Sequence, residues 1–220
     1  MNKHFIIYYQ NCKKRKANQL AILEYAFNEE PELIILAEAS SFDFKLFKDY
    51  KFQYLSNNKS GLNILSKFEL QLEFIQFDTK QNRNKDRIAL IKFDNIQIIA
   101  VHIPAETNYH YQAMERLVGL DLIEIDLILG DFNTGYKTDS DVNGIQFKSG
   151  DKNFLLLEST GFTNYGNGRG IKSYRNSRNG RLVRIDHAFI KNSSTKIEYV
   201  DFLSEGFDHK GLKVTIYEKS

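Results

Sequence analysis

Short apolar runs, rich in β-branched and aromatic residues, recur along this chain, and polar residues close them. Residues 4–9 alternate weakly and predict a strand ending at Gln10-Asn11. A basic cluster, Lys13 to Lys16, opens a predicted helix over 17–28, with Leu20, Ile22, Leu23, Tyr25, Ala26 and Phe27 as its apolar face and Pro31 as its stop. Residues 32–37 predict a second strand, ending in Glu38, and the intervening helix makes the first two strands parallel neighbours. A short helix is predicted over 42–47, then strands over 52–55, 62–66 and 70–77. Residues 88–93 and 96–101 predict a hairpin turning at Asp94-Asn95, and its second strand runs into His102-Ile103-Pro104. A helix follows over 109–124, with Tyr111, Met114, Leu117, Val118 and Leu122 on one side.

The apolar run 125–129, broken only by Asp126, reads as a buried strand that stops at Gly130 and leads into Asp131-Phe132-Asn133. Residues 134–153 are loop-rich, and 154–160 predict a short helix. A strand over 182–190 carries Asp186 and His187, another is expected over 199–203, and residues 204–209 form a loop before a last strand over 212–217. No repeat, linker or low-complexity tract breaks the chain, so residues 1–220 are read as one domain. Many strands and few helices in mixed order predict an α+β fold of two sheets packed face to face with helices outside.

Composition narrows the class. The chain is 42% hydrophobic and 26% charged, an ordinary soluble balance, and its net charge of +2 does not by itself imply nucleic acid. Cys12 is the single cysteine, so no internal disulfide forms and a reducing compartment, the cytoplasm, is expected. The N-terminal apolar stretch is too short for a signal peptide, and no run approaches the ~20 residues that span a bilayer. No membrane partner is expected.

The polar residues at the strand ends carry the chemistry. Asn11, Glu38, His102, Asp131, Asn133, Asp186, Asp208 and His209 all sit in or just beyond strand-like runs. Taken singly each has a bland reading: a turn for Asn11 or Gly-Asp-x-Asn, a surface cap at Ser40 for Glu38, a satisfied core histidine for His102. No Cys/His cluster suits zinc, whereas carboxylates with an amide suit a hard cation such as Mg²⁺ or Mn²⁺.

Taken in order, the motifs Asn11-Cys12, Leu36-Ala37-Glu38, Gly61-Leu62-Asn63-Ile64-Leu65-Ser66, Val101-His102-Ile103-Pro104, Gly130-Asp131-Phe132-Asn133, Arg184-Ile185-Asp186-His187 and Asp208-His209 make the chain resemble the endonuclease/exonuclease/phosphatase superfamily, the fold of pancreatic deoxyribonuclease and exonuclease III-type nucleases. The chain departs from the family's pattern at Ala37, where Gln is common, and at Phe207, where Ser is common. The resemblance implies a four-layer α/β/β/α sandwich with its site at one edge of both sheets. It implies a phosphodiester hydrolase dependent on Mg²⁺ or Mn²⁺, with Glu38, Asn11 and Asp208 as metal residues. Asp131 would align the attacking water, ionised if its pKa is an unperturbed ~3.9, and Asn133 would hold that water or a phosphate oxygen. Asp186 would pair with His209, which donates to the scissile phosphate, while His102 would bind a phosphate oxygen. His187 is left structural.

From Ser159 to Ile185 there is no acidic residue, and Arg169, Lys172, Tyr174, Arg175, Arg178 and Arg181 are spaced among glycines, asparagines and serines, with Arg184 closing the run. Such a stretch tracks a phosphate backbone, with Tyr174 stacking on a base, or is simply a solvated loop. The expected substrate is DNA or RNA, cut by a monomer. The alternatives are a phosphatase or phosphodiesterase acting on a small or lipid phosphate, and a catalytically silent nucleic-acid-binding module.

Overall fold

A computed structural model of the chain describes residues 4–77, 84–136, 150–167, 169–176, 180–191 and 194–217. The strands are β1 (His4–Asn11), β2 (Leu33–Ala37), β3 (Phe52–Tyr54), β4 (Leu62–Ser66), β5 (Gln71–Phe74), β6 (Ile88–Phe93), β7 (Ile96–His102), β8 (Leu127–Asp131), β9 (Thr163–Asn164), β10 (Tyr174–Arg175), β11 (Leu182–Val183), β12 (Asp186–Ile190), β13 (Thr195–Val200) and β14 (Gly211–Tyr217). Among the described residues the helices are α1 (Asn18–Glu29), α2 (Thr107–Val118) and α3 (Gly150–Ser159), with a 3-10 turn at Phe44–Leu46. None is long and apolar enough to cross a membrane.

Two six-stranded sheets run in the orders β13-β14-β1-β2-β4-β3 and β5-β6-β7-β8-β12-β9, and β10 and β11 form a separate two-stranded ribbon. Each sheet holds one parallel pair among antiparallel neighbours: β1 with β2, linked by α1, and β7 with β8, linked by α2. The predicted crossover is therefore present, and it occurs twice.

Strand alternation sorts the side chains into three cores. Ile7, Tyr9, Leu33, Ile35, Ala100 and Leu129 belong to the cluster between the sheets. Val101, Ile128 and Phe189 face outward to Met114 and Leu117 of α2 and Phe154 of α3. On the other side Tyr8, Ile34 and Leu36 pack on Ile22 and Tyr25 of α1. The result is the expected four-layer α+β sandwich.

Several predicted boundaries shift, each for a physical reason. Helix α1 turns a different face inward: Leu20 and Phe27 are 72% and 80% exposed, while Asn18 and Gln19 are buried. Their amides satisfy the neighbouring backbone at Cys12 O (3.1 Å) and Asp43 O (2.7 Å), which apolar side chains could not do. Helix α2 ends at Val118, where Gly119 caps Glu115, and Leu122 and Ile125 reach the core from an irregular turn. The predicted 182–190 strand is two strands in different sheets, β11 and β12. It breaks at Arg184-Ile185, where the Ser173 hydroxyl accepts the Ile185 and Asp186 N–H groups at 3.1 and 3.0 Å. The strand expected over 199–203 lies earlier, as β13.

Gly130 permits the close contact of β7 and β8 at the end of their pairing. Its φ is +142°, and a Cβ there would collide with the Val101 carbonyl oxygen. Gly130→Ala is expected to cost about 2–4 kcal/mol of stability. Urea unfolding followed by circular dichroism measures this, since the chain has no tryptophan.

Candidate active site

Alternation also sets which strand-end residues face one another. Asn11 follows Ile7 and Tyr9 on the inner face of β1, His102 follows Ala100 on β7, Asp131 follows Leu129 on β8, and Asp186 precedes Ala188 on β12. His102 and Asp186 are the register partners of Asp131 on either side. The polar residues thus cap the inter-sheet core where β1, β2, β7 and β8 all reach their carboxyl ends. His187 takes the opposite parity and is fully buried against Phe154 and Phe132. Its Nε2 donates to the Thr134 carbonyl (2.9 Å) and its Nδ1 accepts from Asn164 (3.2 Å), a closed structural role.

Glu38 breaks the alternation. After Leu36, which faces α1, and Ala37, which faces the core, a regular strand would turn Glu38 toward the helix side. Its φ of +54° re-aims it instead, so that Oε1 lies 3.5 Å from His102 Nε2 on the opposing sheet. Lys13 and Lys14 are also left-handed, with φ of 51° and 56°. Lys14 Nζ is 3.8 Å from Glu38 Oε2, and Lys13 pairs with the Asp208 carboxylate.

Asp131 is the centre of the arrangement and is 1% exposed. The Asn11 amide donates to Oδ2 across the sheet interface (3.0 Å), and the Asn133 N–H donates to Oδ1 (2.8 Å). The Asn11 amide oxygen accepts the Lys13 N–H at 2.9 Å. Asn133, at φ +50°, turns its own amide onto the Ile103 carbonyl (2.8 Å). His209 Nδ1 donates to Asp186 at 3.0 Å and stands 3.9 Å from Asp131. Its ring packs on that of Tyr174, with centroids 4.7 Å apart.

Burial pushes the Asp131 carboxyl up to about 7, with His209 pulling it down and Asp186 adding to the rise. Full ionisation at neutral pH, expected from an unperturbed aspartate, therefore does not hold for this buried group. Burial alone would also strip the proton from His209, but the Asp186 and Asp131 carboxylates outweigh it and raise the ring to about 9. His102 goes the other way: burial and the Arg87 guanidinium hold it well below the ordinary histidine value.

The basic stretch divides. Tyr174 reaches the site, whereas the Arg175 guanidinium lies on the Phe202 ring (4.8 Å) and Arg169 on Tyr165 (4.3 Å). Arg169, Lys172 and Arg175 line an open groove of about 730 Å³ together with Lys210 and Phe202. Arg181 is exposed near the turn of the ribbon. Arg184 is fully buried, with its guanidinium donating to Asn164, so it reaches no phosphate. Arg178 lies outside the described residues.

Sequence reading missed the supports of this site. The Tyr9 hydroxyl, from β1, accepts the Asp131 N–H (3.0 Å) and ties the two sheets together at the carboxyl ends of β1 and β8. Gln10 donates to the His209 carbonyl (3.1 Å) and accepts from Tyr8. The signal for Tyr9 was its parity: two residues before Asn11, it shares the same face.

The donor set fits a hard divalent cation. Asp131 and Asp186 offer carboxylate oxygens within 4.8 Å of each other, His209 Nδ1 being already committed as a donor to Asp186, and Asp208 Oδ1 is buried with no hydrogen-bond partner. Glu38 and Asn11 add a carboxylate and an amide oxygen nearby.

No protein-family model matches the chain, and no curated protein matches it. Solved structures do. An AP endonuclease from Archaeoglobus fulgidus superposes with a TM-score of 0.76 at 16% identity, covering 98% of this chain and 100% of its own. A 3′ phosphatase, NExo, from Neisseria, bound to product DNA hairpin, gives 0.74 at 13% identity over 98% and 100%. The endonuclease domain of TRAS1, a telomere-specific non-LTR retrotransposon, gives 0.67 at 15% identity over 98% and 100%. The chain has the DNase I-like fold.

The His209 shift sets a pH window for stability. Its folded pKa, about 9, lies above the ordinary histidine value of 6.5, so the stabilisation is complete below pH 6.5 and is lost as pH rises through 9. Urea unfolding at pH 6.5 and at pH 9.5 should differ by about 3 kcal/mol. In Asp186→Asn, which removes the largest carboxylate contribution to that rise, the difference should fall below about 1 kcal/mol.

Proposed function

We propose that this chain is a divalent-metal-dependent phosphodiester hydrolase that cleaves DNA or RNA by in-line attack of a water aligned by Asp131. The observation that carries this reading is the join across the sheets: Asn11 holds the Asp131 carboxylate from one sheet while Asp186 holds His209 beside it. A carboxyl with a pKa of about 7 is matched to a general base at neutral pH. His209, kept protonated by Asp186, has Nε2–H to offer a phosphate oxygen as charge builds in the transition state. Asn133, locked in its left-handed turn, keeps the Asp131 carboxylate oriented. Glu38, Asn11 and Asp208 would hold the cation, which when bound draws charge from the phosphate oxygens.

Nucleic acid is favoured as substrate because the structural neighbours with this fold are described as an AP endonuclease, a retrotransposon endonuclease domain and a phosphatase bound to a DNA hairpin. The groove lined by Arg169, Lys172, Arg175 and Lys210 also holds Glu198 and Asp201, the latter paired with Lys210, and Arg169, Lys172 and Arg175 are the cations it offers a polyanion. A phosphatase acting on a small or lipid phosphate is the alternative.

The test is nicking of supercoiled plasmid in Mg²⁺, in Mn²⁺ and in EDTA. Cleavage is expected in metal only, falling about 10²-fold or more in Asp131→Ala and in His209→Ala. Cleavage that survives in Asp131→Ala overturns the mechanism. Absence of cleavage on plasmid and on RNA, with turnover of small phosphoesters, moves the chain to the alternative. For binding, Arg175→Ala should shallow the slope of log affinity against log salt by about 1, and an unchanged slope removes the groove from the interface.

A further inference from the structure

Asp186, which holds His209, is fully buried, and the partners of its backbone come from outside its own sheet. On one side β12 pairs with β8, Asp186 standing opposite Asp131, and the Phe132 N–H donates to the Ile185 carbonyl (2.8 Å). Antiparallel pairing alternates, so the N–H and C=O of the next residue, Asp186, point away from β8. On that far side β9 ends too soon to meet them. It pairs with Phe189 and Ile190, and the Tyr165 N–H reaches the Ala188 carbonyl (2.9 Å). The chain then turns back, with the Asn167 N–H on the Asn164 carbonyl (3.3 Å). A buried peptide group without a partner is costly, so both groups of Asp186 must be met from elsewhere.

Two hydroxyls meet them: Ser173 Oγ accepts the Asp186 N–H (3.0 Å), and the Tyr199 hydroxyl donates to the Asp186 carbonyl (2.9 Å). Ser173 directly precedes β10 of the ribbon, and Tyr199 belongs to β13 in the opposite sheet. Ser173 is fully buried and is itself fixed by its backbone. Its N–H donates to the Val183 carbonyl (3.0 Å), and its carbonyl accepts the N–H of Lys210 (2.7 Å), the residue after His209. Ser173 therefore anchors both partners, Asp186 through its hydroxyl and the His209 segment through its carbonyl. Its oxygen also takes the Ile185 N–H (3.1 Å), which closes the break between β11 and β12. The Tyr199 bond lies outside that break and falls on Asp186.

We infer that Ser173 and Tyr199 are positioning residues for the hydrolysis: acting through the Asp186 backbone, their hydroxyls fix the carboxylate that orients His209. An aspartate side chain is short, so a shift of its backbone is passed almost whole to its carboxylate, and a misplacement on the order of 1 Å can cost about 10²-fold in rate. This deepens the hydrolase reading of the same site and rests on it for the role of His209.

The test is proton NMR of the full chain, ¹⁵N-labelled at histidine, in Mg²⁺. A carboxylate only accepts, so His209 Nδ1 carries a proton that should exchange slowly with water, and His209→Asn identifies its signal. The Nδ1–H of His110 on α2, held by the Pro104 carbonyl (3.0 Å), is the reference for an intact fold. In Tyr199→Phe and in Ser173→Ala the His209 proton is expected to exchange about tenfold or more faster, with His110 unchanged. Ser173→Thr, which keeps the hydroxyl, should restore the wild-type rate. In plasmid nicking the first two variants should lose about tenfold in kcat, with KM changed by less than about twofold. The inference is overturned if the wild type shows no slowly exchanging His209 proton, if its exchange is unchanged in the variants, if His110 speeds up equally, or if nicking changes in KM alone or not at all. Should Ser173→Ala not fold, Tyr199→Phe decides on the same readings. Faster His209 exchange in variants of a chain that cleaves no nucleic acid leaves this clamp standing and sinks the nuclease reading. Metal-dependent cleavage with His209 exchange and kcat unchanged in the variants does the reverse.

Discussion

The buried carboxylate of Asp131 is the constraint that the strand-end cluster is built to meet. A carboxylate taken out of water costs several kcal/mol unless donors replace the lost solvent. No single strand can supply them. The Asn11 amide comes from β1 in one sheet and the Asn133 N–H from the turn after β8 in the other, while the Tyr9 hydroxyl of β1 accepts the Asp131 backbone N–H. Satisfying Asp131 therefore requires the sheets to meet in one register, with β1 opposite β8. The apolar cluster beneath, from Ile7 to Leu129, then falls into place by alternation along the same strands. His209 completes the balance, as its charge offsets Asp131 and Asp186 together.

The strands, the parallel pairing of the first two and the strand-end residues were legible because they rest on local signals. Apolar runs mark strands, and a helix between two of them implies a parallel neighbour. The structure puts Asn11, His102, Asp131 and Asp186 on one face, a parity that a count of two along each strand contains. What was not legible depends on long-range contacts. Leu20 and Phe27 look like core residues until Asn18 and Gln19 are seen to serve the backbone of two loops. The run 182–190 looks continuous until the Ser173 hydroxyl, from the neighbouring ribbon, takes the N–H groups at its break. Arg184 looks like one more surface cation, yet Gly166 leaves room for its guanidinium inside the protein.

The pKa of Asp131 is the deepest departure from sequence reasoning. A residue type carries a reference value, and the environment that moves it is three-dimensional. Here one aspartate is raised by burial while a second, Asp186, sits directly against His209. Two carboxyls of the same type thereby sit in different electrostatic settings, one raised toward neutrality and one held against a charged imidazole. Sequence spacing alone assigns neither.

Three of the left-handed non-glycine residues meet at one corner, and their location is informative. Lys13, Lys14 and Glu38 are all left-handed, and Lys14 N–H donates to the Glu38 carbonyl at 2.8 Å. Each such residue costs on the order of 1 kcal/mol or more and persists only where its surroundings over-determine it. Glycine at any of the three would relieve the cost, as Gly130 does on β8. The chain keeps long charged side chains there instead, and the bends aim them: Glu38 across to His102, Lys14 onto Glu38, Lys13 onto Asp208. Two ammonium groups thus stand against the two carboxylates assigned to the cation. A divalent ion entering this corner must compete with both lysines, and a phosphate that follows it meets two cations already in place. Strain, charge and the strand ends therefore converge on one small volume, which is where a site that handles a phosphodiester would need them.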